Sequence, residues 1–187
     1  ERGWSVVGTQ TRPVSLHGLN NFYSDLHFVD IRETGIRDLS ELPPFEKAEL
    51  VAVNVNPNLV SIAGLGALRE AGWIEIRANE VLKSLHGLEG LHTVSAAHHA
   101  WSFSVSANTQ LSSLDALGGL RGHVVDKIQL DLDTVHMANL SLQGLLGLTT
   151  ICSSNACVEP LRILGDDVSE FLCFPESDRS RLQDMLP

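Results

Sequence analysis

Four histidines crowd one stretch of this 187-residue chain: His92, the neighbours His98 and His99, and His123. Neutral imidazoles are good zinc ligands, and structural zinc sites take about four. No carboxylate at a motif spacing accompanies them, and two adjacent side chains on one loop rarely converge on one ion. They read as exposed loop histidines, with no metal and no cofactor expected. Three cysteines, Cys152, Cys157 and Cys173, fall in the last fifth of the chain. They are either one disulfide plus a spare thiol, with the pairing open, or three reduced core thiols; their clustering favours a stapled C-terminal segment. Asp131 and Asp133 stand two apart, so on a strand they share a face. The basic residue that acid–base or lyase chemistry would want, Arg77, falls two strand spacings away, roughly 10 Å. Nucleophile elbow, phosphate loop and HExxH are all absent. The expectation is a non-enzyme.

What must position these residues is visible in the composition. Hydrophobic residues make up 43% and aromatics only 5%, and Leu alone supplies 29 of the 187 residues, which suggests a small recurring unit. The net charge of -10 argues against nucleic acid, whose binding needs clustered Lys and Arg. No window approaches the roughly 18 to 20 apolar residues of a membrane span. The chain begins at Glu1, which reads as a mature form or a piece of a longer one.

Three stretches align without a gap: VAVNVNPNLVSIAGLGAL from Val51, IEIRANEVLKSLHGLEGL from Ile74 and FSVSANTQLSSLDALGGL from Phe103. Each opens with period-2 alternation, the mark of a half-buried strand. Taking the second apolar residue as anchor, looser copies extend the series to Val7, Ile31, Val53, Ile76, Val105 and Leu132. Strands this short cannot bury their inner faces alone, so the units must stack, with Leu and Ile inside and the variable loops outside. Two ladders fix the register. Asn56, Asn79 and Asn108 share the turn after the strand, where a buried amide pairs with backbone as the chain bends. Ser61, Ser84 and Ser113, with Ser15 and Ser141, share the position before the second Leu. Both ladders read as structural.

Residues flanking each anchor should point outward. Those before it run Val6, Asp30, Ala52, Glu75, Ser104, Asp131, and those after it Gly8, Arg32, Asn54, Arg77, Ser106, Asp133. Three residues before each anchor runs a bulky column, Trp4, Phe28, Leu50 and Trp73, either turning inward at a corner of the coil or forming an apolar stripe. The extra residues between the fourth and fifth copies place a loop at 95–100, carrying His98 and His99, with Trp101 just after it.

The wording NxxLxSLxGLxxL, here NEVLKSLHGLEGL at 79–91 with close variants at 56–68 and 108–120, resembles the receptor L-domain. The resemblance covers about residues 4–151. It implies a right-handed parallel β-helix of leucine-rich turns and a binding module exposed at a cell surface. The cysteine-rich modules that follow L-domains in receptors are absent from this sequence.

The sequence thus predicts a β-rich solenoid of six turns over residues 1–151 and a C-terminal cap at 152–187, with short helices around Val168–Leu172 and Leu182–Leu186. The expected function is non-catalytic recognition or adhesion in a secreted or cell-surface setting. The ligand, a protein or a glycan, would meet Asp30, Arg32, Asn54, Trp73, Glu75, Arg77, Asp131 and Asp133 on the outer face, with His98, His99 and Trp101 beside them. The alternative is a structural subunit that self-assembles through an open front end and the apolar column.

Overall fold

The computed structural model describes residues 2–9, 15, 16, 19, 25–94, 103–120, 122, 123, 128–131, 148–150 and 161–164. It is a parallel β-solenoid. One strand per repeat stacks into a sheet: β1 (Gly3–Val7), β2 (Asp25–Arg32), β3 (Lys47–Asn54), β4 (Glu70–Arg77), β6 (Phe103–Ser106), β8 (Ile128–Asp131) and β10 (Leu161–Leu164) lie side by side in that order. The short β5 (Thr93–Val94) pairs with the front of β4, and β7 (Gly122–His123) pairs with β9 (Leu148–Thr150). Among the described residues the only helical segments are short 3₁₀ turns at Ala63–Leu65 and Asp115–Gly119.

Each repeat closes because its leucines recur at threes. The Leu59 N–H donates to Asn56 O at 3.1 Å, Leu65 to Ile62 O at 2.9 Å, and Leu68 to Leu65 O at 2.9 Å; the next repeat matches with Leu82, Leu88 and Leu91. Tight turns bonded across three residues bring side chains three apart onto one side, so every Leu of the motif faces inward. Leu59, Ile62, Leu65, Leu68, Leu82, Leu85, Leu88 and Leu91 are fully buried. They pack against Val51, Val53, Ile74 and Ile76 from the strands.

A sharp bend follows β2, β3, β4 and β6. Glu33, Val55, Ala78 and Ala107 all take positive φ, from 53° to 58°, and none is the glycine that this left-handed conformation favours. The N–H groups of the first three cross to the next repeat: Glu33 to Asn54 O at 3.0 Å, Val55 to Arg77 O at 2.8 Å and Ala78 to Ser106 O at 3.0 Å. The bend thereby stays in register with the sheet.

The residues after these bends form the asparagine ladder. Asn56 and Asn79 are fully buried and Asn108 nearly so. The Asn79 Nδ2 donates to Val53 O at 2.9 Å and the Asn108 Nδ2 to Ile76 O at 2.8 Å. Asn56 N–H donates to Asn79 Oδ1, and Asn79 N–H to Asn108 Oδ1. Thr34, also fully buried, continues the ladder forward, its hydroxyl donating to Asn56 Oδ1 at 2.6 Å. A hydroxyl fills the position as well as an amide does, so a search for asparagine alone passes it over.

The serine column caps the turns that follow it. Ser61 Oγ accepts from the Ala63 N–H, Ser84 Oγ from His86 and Ser113 Oγ from Asp115. Asp38 takes the same position, bridging to Ser61 and accepting from the Ser40 N–H at 3.0 Å and the Ser40 hydroxyl.

Several expected registers shift. Val6, not Val7, pairs with Ile31, and Val7 is 59% exposed. Two adjacent valines leave the alternation undecided, and a slip of one residue reverses every face. Trp4 accordingly pairs with Val29 rather than lying beside Phe28. It is buried and meets the Phe45 ring edge-on at 5.6 Å. Gly3 takes the place opposite Phe28, where a Cβ would come within 2.6 Å of the ring. At the other end Leu130, not Leu132, pairs with Val105. Ile128, Leu130 and Leu132 alternate alike, and a shift of two keeps every face, so periodicity cannot separate the choices. The sheet also runs past residue 151, since Leu161–Leu164 pairs in parallel with Ile128–Asp131. The helical stretches expected around 168–172 and 182–186, and Cys152, Cys157 and Cys173, lie outside the described residues.

Candidate binding face

On the strands, side chains alternate between the interior and the outer face. In β4, Ile74 and Ile76 are buried, while Trp73 and Glu75 are half-buried and Arg77 is exposed on the other side. The pairing of neighbouring strands then builds three columns. The first runs Phe28, Leu50, Trp73; the second Asp30, Ala52, Glu75, Ser104; the third Arg32, Asn54, Arg77, Ser106. Asp131 follows Ser106 in the third column rather than Ser104 in the second, a consequence of the Leu130 register. Asp133, His98, His99 and Trp101 lie outside the described residues.

Two pairs of polar groups on this face hold each other. Arg32 Nε donates to Asp30 Oδ2 at 3.0 Å, and its Nη2 reaches the same oxygen. Asp30 is only 9% exposed, whereas Arg32 extends into solvent. One strand further, Asn54 Nδ2 donates to Glu75 Oε2 at 2.7 Å. The other amide oxygen, Asn54 Oδ1, is shielded from solvent and accepts no hydrogen bond among the described residues. The face therefore sets the apolar column Phe28–Leu50–Trp73 beside two largely polar columns, in which Asp30 pairs with Arg32 and Asn54 with Glu75.

The bulky column sits beside a corner. Pairing skips His27 and Glu49, and Gly72 with them, between Leu26–Ala48–Ala71 and Phe28–Leu50–Trp73. At this bend the consecutive residues 27 and 28 both leave the core, and Phe28, Leu50 and Trp73 stay half-buried on the outer side.

On the other side of the corner lies a groove of about 470 Å³, lined by Arg2, Asp25, His27, Lys47, Glu49, Glu70, Gly72 and Thr93 among others. Its charges alternate from strand to strand. Lys47 Nζ meets Glu70 at 3.0 Å, and His27 Nδ1 meets Glu49 at 3.2 Å. The Glu70 carboxylate, as hydrogen-bond partner and as charge, raises the Lys47 pKa above its ordinary value. Lys47 and Glu70 stand directly across neighbouring parallel strands, where opposite charges stabilise the register. Sequence reading missed this groove because its walls come from the start of each strand, where the repeat carries no shared residue type.

His92 is exposed, and among the described residues no three His, Cys, Asp or Glu side chains gather as a metal site would require. Among the same residues no helix is long and apolar enough to cross a membrane.

The described residues therefore define a parallel β-solenoid whose outer sheet face is part apolar and part polar. Comparisons with protein-family models, with curated proteins and with solved structures find no match to it.

Proposed function

We propose that this chain is a non-catalytic recognition or adhesion module of a secreted or cell-surface protein, binding a protein or a glycan through the outer face of its sheet. The observation that carries this reading is the Asn54–Glu75 pair between Trp73 and Arg77. Side chains there are fixed to one another on a rigid sheet, so a ligand meets them without first having to order them. Solenoids commonly use such extended faces for binding. The resemblance of NEVLKSLHGLEGL to receptor L-domain repeats points the same way and supplies the cell-surface setting, with the 95–100 loop as a neighbouring contact.

The alternative, a subunit that stacks on neighbours in an extracellular assembly, draws on β1, which ends the sheet with Val7 exposed. Against it, Trp4 and Leu16 at the front are already buried, 6% and 1% exposed, so the apolar interior is not bare there. Light scattering behind size exclusion separates the two: growth in mass with concentration supports stacking, and a strict monomer removes it. For the recognition reading, the doubly substituted Trp73→Ala, Arg77→Glu chain should lose attachment to surfaces that bind the unaltered chain. Undiminished attachment would remove the outer face as the site.

A further inference from the structure

Resting on the recognition reading above, we propose that the patch of Trp73, Glu75 and Arg77 on β4, with Asn54 on β3, binds an uncharged, linear polysaccharide lying across the strands.

The direction follows from the columns. Phe28–Leu50–Trp73 forms an apolar strip, and the two polar columns run parallel to it along the stacking axis. Successive strands stand about 4.8 Å apart, close to the length of one sugar ring along an extended chain. A linear ligand laid this way meets an apolar strip on one side and hydrogen-bonding groups on the other along its whole length. A sugar ring has the matching character: a C–H face that packs on an indole and hydroxyls at its edge that both donate and accept.

Charge selects the uncharged chain. Asp30, Arg32, Glu75 and Arg77 sum to zero, with Arg32 bonded to Asp30. The patch therefore has no field that would draw in a polyion. The whole chain carries -10 and repels a polyanion at long range. A polycation would find Glu75 already engaged by Asn54 and flanked by Arg77. Hydroxyl groups bring no charge to desolvate and still supply the donor that Asn54 Oδ1 lacks. Asn54 lies between Arg32 and Arg77 in its column; Arg32 stays bonded to Asp30, whereas Arg77 is a long, exposed side chain that can swing aside for a ligand.

The test uses the intact chain with cellohexaose, laminarihexaose and mannohexaose as neutral probes and polygalacturonate as the charged one, read by calorimetry. At least one neutral hexasaccharide should bind with a Kd below about 1 mM, unchanged by added salt. Trp73→Ala and, as a milder variant, Glu75→Gln should each weaken it about tenfold or more, while Lys83→Ala outside the sheet leaves it unaltered. Absence of binding by all three neutral probes overturns the inference. So does binding that ignores both substitutions, or a salt-sensitive preference for polygalacturonate. If the sugars fail but Trp73→Ala still removes attachment to a protein-coated surface, the glycan inference falls and the recognition reading stands. If attachment is also unaffected, both fall.

Discussion

Asn79 ties its own repeat to the one before it: its Nδ2 donates to Val53 O at 2.9 Å while its Oδ1 accepts from Asn56 N–H at 3.2 Å. Both partners are main-chain groups, one near the end of β3 before the bend and one just after it. Removing the amide leaves a buried N–H and a buried C=O unpaired, each costing about 1–3 kcal/mol. Asn79→Ala should therefore lower stability by about 2–4 kcal/mol, measured by urea denaturation. A loss below about 0.5 kcal/mol would mean that the neighbouring rungs re-bond without it.

Close packing between repeats sets a second contrast. A Cβ on Gly64 would lie 1.7 Å from Leu39 O, in the backbone of the preceding repeat, whereas one on Gly118 would meet nothing within 4 Å. Gly64→Ala cannot be relieved by a rotamer change and should cost upwards of about 2 kcal/mol. Gly118→Ala should be neutral or stabilise by up to about 1 kcal/mol, since it restricts the unfolded chain. Paired melting curves decide this, and equal effects at the two glycines would contradict the spacing between repeats.

Val55 offers a stabilising change. It holds φ at 58°, where a β-branched side chain is strained by about 1–2 kcal/mol. Asparagine tolerates this conformation. Val55→Asn should raise the melting temperature, by an amount matching about 0.5–1 kcal/mol after some lost packing. A fall in melting temperature would show that the half-buried isopropyl group matters more than the bend.

Acid should weaken the fold through two carboxylates. Hydrogen bonds from the Ser40 hydroxyl and N–H hold the Asp38 pKa below its ordinary value. Burial acts against Glu89, but bonds from its own N–H and the Gly87 N–H, together with His86, outweigh it and lower that pKa too. A depressed folded-state pKa gives stability that is present above the unfolded value and lost as pH falls through the folded one. Stability should thus drop as the solution is acidified below about pH 4. Ser40→Ala should flatten the part that belongs to Asp38. Lys47 has the opposite sign, its pKa being raised, and its exposed pair is lost only in alkali, as pH rises through that raised value.

The repeat was legible wherever the interior imposes it. Leucines at threes, alternating strand residues and a buried amide at each bend are demanded by one coil packing on the next, so any sequence of this fold must show them. Outer-face positions fell out of the same pattern: Asp30, Arg32, Asn54, Glu75 and Arg77 occupy the columns that their spacing from Ile31, Val53 and Ile76 assigns. Thr34 did not, because a chemically different side chain satisfies the same backbone groups there.

The amino-acid sequence by itself determined the recurring unit and which residues of its central copies face inward, because burial allows only apolar side chains at those places. Tertiary structure decided the rest. Whether Val6 or Val7 joins Ile31, and whether Leu130 or Leu132 joins Val105, depends on hydrogen bonds to the neighbouring strand, and alternation alone is blind to them. The corner at His27, Glu49 and Gly72, and the groove beside it, arise from the path of the stacked backbone. So does the pairing of Asn54 with Glu75, two residues 21 positions apart that only the stacking of β3 on β4 brings together.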